Sequence, residues 1–153
     1  MIKSVEVMNK TQAEEYSLTA HNKESIVISI ASRGCNTAFI MPNTINKIAD
    51  ILYVQFNDTD DTDMLYGGIE DTEAIKIVDF IEKYNSINTE LGLIVHCEAG
   101  QSRSAGVAAA IMKYLYNDDT PIFNNSRYTP NMLCYRKVLN SLAYRNGEIT
   151  WTK

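Results

Sequence analysis

Cys97 and Arg103 stand six residues apart in the run Ile94-Val95-His96-Cys97-Glu98-Ala99-Gly100-Gln101-Ser102-Arg103-Ser104. Each residue type in that run has a chemical use. A cysteine where backbone N–H groups converge gives up its proton more readily than a free thiol and becomes a nucleophile. An arginine at a helix start can hold two oxygens of a phosphoryl group at once, which a lysine cannot. Gly100 permits the backbone turn that an anion cradle of N–H groups requires. The hydroxyl of Ser104 can donate to the thiolate and stabilise it as a leaving group. Chance alone supplies a cysteine–arginine pair at this spacing roughly one time in ten in such a chain. The residues six beyond Cys35 and Cys134 are Met41 and Asn140, so neither repeats it.

These side chains need a strand before them and a helix after them, and the pattern supplies both. Leu93–His96 reads as a strand, and Arg103–Tyr116 is apolar almost all round, as a buried central helix is. Other strand-like runs are Val5–Met8, Ile26–Ala31, Thr37–Met41 and Ile51–Phe56. Helical patterns cover Thr11–Ala20, Glu70–Tyr84 and Pro130–Tyr144, the last opening on a proline tolerated in a first turn. On the helix from Glu70, the stripe Ala74, Ile75, Val78, Ile81 and Tyr84 faces inward, with Asp71 or Thr72 as N-cap. Strands alternating with helices predict one α/β domain over residues 1–153, with a mainly parallel sheet of four to five strands flanked by helices. In such a sheet ligands bind beyond the carboxyl ends of the strands, where the Cys97 loop lies.

Phosphoryl transfer to a thiolate also needs a proton donor for the leaving oxygen. Asp58, Asp60, Asp61 and Asp63 crowd one loop, and Glu70, Asp71 and Glu73 follow. Most of these are expected to form a solvated acidic surface. One of them, kept protonated by its negative neighbours, would serve as the acid. Asp58, nearest the preceding strand end, is the first choice and Asp61 the second.

Composition narrows the classes. The chain has 153 residues, 45% of them hydrophobic and 22% charged, with a net charge of -5. That balance argues against general binding to nucleic acid or to anionic membranes. Three cysteines do not make a disulfide scaffold. No segment reads as a targeting or membrane-spanning sequence, so a cytoplasmic setting is expected. No His/Cys/Asp cluster has metal-ligand spacing, and neither metal nor cofactor is expected. His96 is expected to orient the loop rather than act as a base. His21 reads as a surface residue, Cys134 as core, and Arg33 as a surface ion pair or a substrate contact. Cys35 could resolve an oxidised Cys97 as a disulfide. Trp151, in a short tail, carries no reading.

The run His96-Cys97-x-x-Gly100-x-x-Arg103-Ser104 resembles the signature of cysteine-dependent protein tyrosine phosphatases, most closely the small dual-specificity-like branch of bacterial and phage type. The segment Phe56-Asn57-Asp58-Thr59 resembles the family's strand leading to the catalytic aspartate, although the tryptophan and proline of the classical branch are replaced by Phe56-Asn57. The Pro130-Asn131 helix start is similar to that of small members. The resemblance implies a phosphate-binding loop over 97–104, in which Glu98, Ala99, Gly100, Gln101, Ser102 and Arg103 hold substrate. It implies an acid loop over 57–68 and a metal-free reaction through a phosphocysteine on Cys97, with Arg103, Asp58 and Ser104 assisting. An acidic Glu98 inside the loop disfavours phosphoinositides and polyphosphates, so a phosphorylated protein or peptide is the expected partner. The alternatives are phosphate on RNA ends or a small metabolite, a phosphate-binding module without turnover, and arsenate reduction.

Overall fold

The structure of the protein is a computed structural model, described for residues 1–145 and Gly147. Trp151 lies outside the described residues. The elements run β1 (Ile2–Met8), α1 (Lys10–Ser17), β2 (Ser25–Ala31), β3 (Ile48–Gln55), α2 (Asp71–Asn85), β4 (Leu91–His96), α3 (Arg103–Tyr116), α4 (Thr120–Phe123) and α5 (Met132–Arg145), with a 3-10 turn at Met64–Tyr66. The four strands form a single sheet in the order β1-β4-β2-β3. Every pairing is parallel, with Val5 opposite Leu93, Ile28 opposite Val95 and Ile28 opposite Leu52.

Parallel pairing explains the composition of the central strands. β2 and β4 are buried along their whole length, whereas β1 and β3 are edge strands with exposed positions. Side chains alternate between two faces. Ile26, Ile28, Ile30, Leu91, Leu93 and Val95 join the main core with α2, α3 and α5. Val27 and Ile94 face the other way and pack with Ala13 of α1 and with Ala38, Ile40 and Ile48. Each such fully buried aliphatic side chain contributes about 1.5–3 kcal/mol relative to exposure.

The expected strand at Thr37–Met41 does not form; residues 37–43 have no regular secondary structure. Its alternation is real, because Ala38 and Ile40 are buried while Phe39 and Met41 are exposed. The segment lies over the sheet face and does not extend the sheet. Buried Asn46 ties it down: its Nδ2 donates to the carbonyls of Ser17 (3.0 Å) and Met41 (2.9 Å), and its Oδ1 accepts from the N–H of Asn43 and Ile48. The N-cap of α2 is Glu70, not the expected Asp71 or Thr72, with Glu73 reaching back to its N–H at 2.9 Å. Ile75 is 44% exposed, and Ile77 and Phe80 take the inward positions. Ala74, Val78 and Ile81 are buried as expected, and Glu73, buried near them, binds Arg33 at 3.0 Å.

α3 and α5 approach each other closely at Gly106. A Cβ there would fall 2.3 Å from the backbone oxygen of Asn131 and 3.1 Å from the Cβ of Cys134. Backbone cannot yield as a flexible side chain can. Gly106→Ala is therefore expected to destabilise the fold by roughly 1–3 kcal/mol through overpacking, read as a lowered midpoint in thermal or denaturant unfolding. An unchanged midpoint would show that the two helices are not locked at this point.

Candidate active site

All strands end at the same edge of the sheet, and the chemistry-bearing residues lie just beyond it. Ser32 follows β2, Phe56 to Asp58 follow β3, and Cys97 follows β4. Cys97 is 2% exposed, and its Sγ lies 3.0 Å from the hydroxyl of Ser104 on the first turn of α3.

The loop between them is shaped from outside. The carbonyl of Glu98 accepts from the N–H of Lys10 (3.1 Å), that of Gln101 from Thr129 (2.9 Å), and that of Ser102 from Asn131 (3.0 Å). In a trans peptide the N–H points opposite to the C=O. The amides of Ala99, Ser102 and Arg103 are thereby turned away from those flanking segments, into the loop. Gly100 has φ +68°, and a Cβ on it would meet the backbone N of Asn9 at 2.7 Å. Glycine is needed there for both the turn and the contact. Ser102, the N-cap residue of α3, makes no side-chain cap. The helix start thus keeps its donors for an anion.

Arg103 is 6% exposed and anchored on one side. Its Nη1 donates to the hydroxyl of Ser32 (3.0 Å) and the carbonyl of Phe56 (2.9 Å). Nε and Nη2 remain as the pair able to address two oxygens side by side. Asp58 is joined to the loop directly. Its Oδ1 accepts from the hydroxyl of Ser102 (2.8 Å) and from Nδ2 of Asn131 (2.9 Å), while Asn131 also donates to the carbonyl of Thr59 (3.0 Å). Asp61 turns away: its Oδ1 accepts the N–H of Asp63 at 2.8 Å, a local turn contact. The structure brings Asp58, and not Asp61, to the Cys97 loop.

Two residues support the site in ways their sequence readings did not include, although Arg33 does form the expected ion pair. Asn131 is buried, accepts the N–H of Cys134 at 3.0 Å and so caps α5 while holding Asp58. Arg33 is more than a surface ion pair. Its Nε donates to the carbonyl of Gly67 (3.0 Å), and its Nη2 to the carbonyl of Gly68 (3.3 Å) and to Glu70 and Glu73 (3.0 Å each). It clasps the far end of the acid loop and does not reach the Cys97 loop.

The remaining candidates fall into place around this core. Cys134 is buried under α3, and burial, followed by the charge of Asp58, pushes its thiol well above the ordinary range. Cys35 is an exposed free thiol and Cys97 a buried one. His21 stacks on Tyr16 with ring centroids 3.6 Å apart. Among the described residues no cluster of His, Cys, Asp or Glu could hold a metal ion, and no helix is long and apolar enough to cross a membrane.

A family model described as the Rit1 DUSP-like domain matches residues 71–142. No curated protein is similar enough to count as a relative. Among solved structures, human DUSP28 aligns with a TM-score of 0.58 at 16% identity, covering 94% of each chain. PTPMT1 in complex with PI(5)P aligns at 0.56 and 16%, again covering 94% of each. The human tyrosine phosphatase-like serine/threonine/tyrosine-interacting protein aligns at 0.53 and 19%, over 80% of this chain and 79% of its own. The chain has a protein tyrosine phosphatase-like fold. At these identities the likeness extends to the fold alone, and the phosphatase-like architecture leaves the chemistry to be argued from the side chains.

In the phosphatase-like fold His96 sits beneath the loop and is 1% exposed. Its Nδ1 lies 3.2 Å from the carbonyl of Cys97, which can only accept, so Nδ1 carries the hydrogen and Nε2 accepts from Ser29 at 2.7 Å. Burial lowers its pKa from 6.5, against a smaller opposing effect of the Cys97 carbonyl. The neutral ring is the folded form. Because the unfolded chain takes up this proton first, stability is full above about pH 6.5 and declines as pH falls below it. Unfolding midpoints measured between pH 7.5 and roughly 5.5 should fall in the native protein and flatten in His96→Gln; parallel curves would show that His96 does not carry the dependence.

Proposed function

We propose that the protein is a phosphomonoester hydrolase that acts on phosphorylated protein side chains through a phosphocysteine on Cys97. The observation that carries this reading is the hydrogen bond from Ser102 to Asp58, which fixes a carboxyl group beside the loop that runs from Cys97 to Arg103.

The phosphoryl group of the substrate sits over the inward-turned amides, with two oxygens on Nε and Nη2 of Arg103. Cys97 Sγ attacks phosphorus as the bond to the leaving oxygen breaks. Oδ1 of Asp58 is engaged by Ser102 and Asn131. Oδ2 is therefore the oxygen that carries the proton, and it delivers that proton to the leaving oxygen. In the second half Asp58, now a carboxylate, takes a proton from water as the water oxygen attacks phosphorus. The S–P bond breaks, inorganic phosphate leaves, and the departing thiolate accepts the hydrogen bond of Ser104. Arg103 needs no large movement for this, since β2 and β3 already hold it by Ser32 and Phe56.

Glu98 is exposed at the loop, and the adjoining acid loop is acidic. This charge opposes a multiply anionic substrate such as the PI(5)P seen with PTPMT1, and favours a single phosphate on a protein. A phosphate-binding module without turnover is the second reading, prompted by the phosphatase-like interacting protein of the same fold. The 3.0 Å approach of Cys97 Sγ to the Ser104 hydroxyl and the anchored Arg103 support turnover.

Steady-state hydrolysis of aryl phosphates of graded leaving-group acidity tests the assignment. Cys97→Ser should abolish turnover while binding of a phosphate analogue persists. Asp58→Asn should slow poor leaving groups by roughly 10²–10⁴-fold and good ones far less. If Asp61→Asn shows that pattern in place of Asp58→Asn, the acid is misassigned; if Cys97→Ser keeps its activity, the mechanism is wrong.

A further inference from the structure

Beyond Asp58 the acid loop presents three large apolar side chains that no part of the core uses. Met64, Leu65 and Tyr66 are 80%, 90% and 56% exposed. Free-standing apolar residues on a mobile loop would be unremarkable, but this turn is built to stay in place. Asp63 caps it through the N–H of Leu65 (3.0 Å), and Gly67, in the left-handed conformation at φ 66°, closes it with its N–H on the Met64 carbonyl (3.2 Å). Asn57, the residue beside the acid, donates from its side chain to the Tyr66 carbonyl (3.0 Å) and from its backbone to the Gly67 carbonyl (2.7 Å). The Arg33 clasp holds Gly67 and Gly68 from the other side. The apolar turn is thus fastened directly to the residue that precedes Asp58.

Its charge surroundings are one-sided. Glu70 and Glu73 are paired with Arg33, and Asp71 with Lys137. Among the described residues Asp60, Asp61 and Asp63 have no cationic partner. A groove of about 410 Å³ runs beside the turn, with Asp61, Asp63, Met64, Gly68, Asp71 and Lys137 among its walls.

We infer that this turn and groove dock the leaving-group side of the substrate, and that the substrate is a phosphorylated protein segment carrying an apolar residue and a lysine or arginine near the phosphorylated side chain. The inference rests on the hydrolase reading and narrows it. The acid must touch the leaving oxygen, so the rest of the leaving group lies along the loop that bears the acid. There it meets an apolar prominence fixed before binding, which costs little ordering entropy, and carboxylates that lack cations. A nucleotide or a phosphoinositide headgroup would bring further negative charge to the same carboxylates.

The test compares kcat/KM of the native protein for an aryl phosphate and for paired phosphopeptides, in phosphotyrosyl and phosphoseryl forms, whose flanking positions hold Leu and Arg or Ala and Glu. The Leu/Arg peptide should be preferred by roughly tenfold, with the preference shrinking as salt is added. In Leu65→Ser, turnover of that peptide relative to the aryl phosphate should fall severalfold. Equal turnover of the paired peptides, or an unaltered ratio in Leu65→Ser, would overturn the inference. So would Leu65→Ser converting a dimer to a monomer in sedimentation with that ratio unaltered, since the turn would then be a self-contact. Failure of the native protein to hydrolyse even the aryl phosphate would instead overturn the hydrolase reading.

Discussion

A helix that begins just beyond the edge of a parallel sheet has several backbone N–H groups without partners, and in most helices a serine or aspartate at the N-cap engages one of them. At the start of α3 Ser102 occupies that place and makes no side-chain cap, turning its hydroxyl to Asp58. Much else in the molecule can be understood as support for that arrangement. The carbonyls of the loop are drawn outward by Lys10, Thr129 and Asn131, which leaves the amides facing in. Gly100 lets the loop lie against the β1–α1 turn, and His96 supports it from below as a neutral ring between Ser29 and Cys97. The net negative charge of the chain does not oppose the proposed anion binding, because oriented amides and one buried guanidinium act at short range.

The same contacts tie Asp58, the proposed acid, to the loop that follows Cys97. Asn131 caps α5 with its Oδ1, holds Asp58 with its Nδ2, and lends its backbone N–H to the loop carbonyl of Ser102. Gly106 permits the helix contact that puts Asn131 within reach. The spacing of α3 and α5 in the core therefore sets where the carboxyl group sits, so a packing change far from substrate is coupled to the position of the acid. Arg33 plays the corresponding part at the other end of the acid loop, where its guanidinium binds two carbonyls and two carboxylates.

How much of this was legible beforehand depended on whether a signal was local. α3 was bounded at Arg103 and Tyr116 because its apolar character starts and stops sharply there, and the structure has the same limits. β2 and β4 were visible as continuous apolar runs because parallel strands bury both faces. The loop between Cys97 and Ser104 could be read because its residues are consecutive. Thr37–Met41 misled for a physical reason, since alternating burial does not require strand pairing: side chains meet the segment's polar groups, Glu14 at the N–H of Phe39, Tyr53 at the carbonyl of Ile40 and Asn46 at the carbonyl of Met41. On α2, Ala74, Val78 and Ile81 face inward as their spacing indicated, whereas Ile75 is exposed, and Glu73 is buried against a partner forty residues away, Arg33. Asn131 could not have been tied to Asp58 by any local pattern, as the two are separated by 73 residues.

The proposed turnover passes through a covalent bond between sulfur and phosphorus at Cys97. Rapid acid quenching of Asp58→Asn during turnover of an aryl phosphate, followed by peptide mass spectrometry, examines that bond directly, because loss of the acid also slows hydrolysis of the intermediate. The prediction is one phosphoryl group per protein, located on Cys97 and formed in a burst with release of the first phenol. A burst with the phosphoryl group on another residue, or steady turnover with Cys97 never phosphorylated, would contradict it.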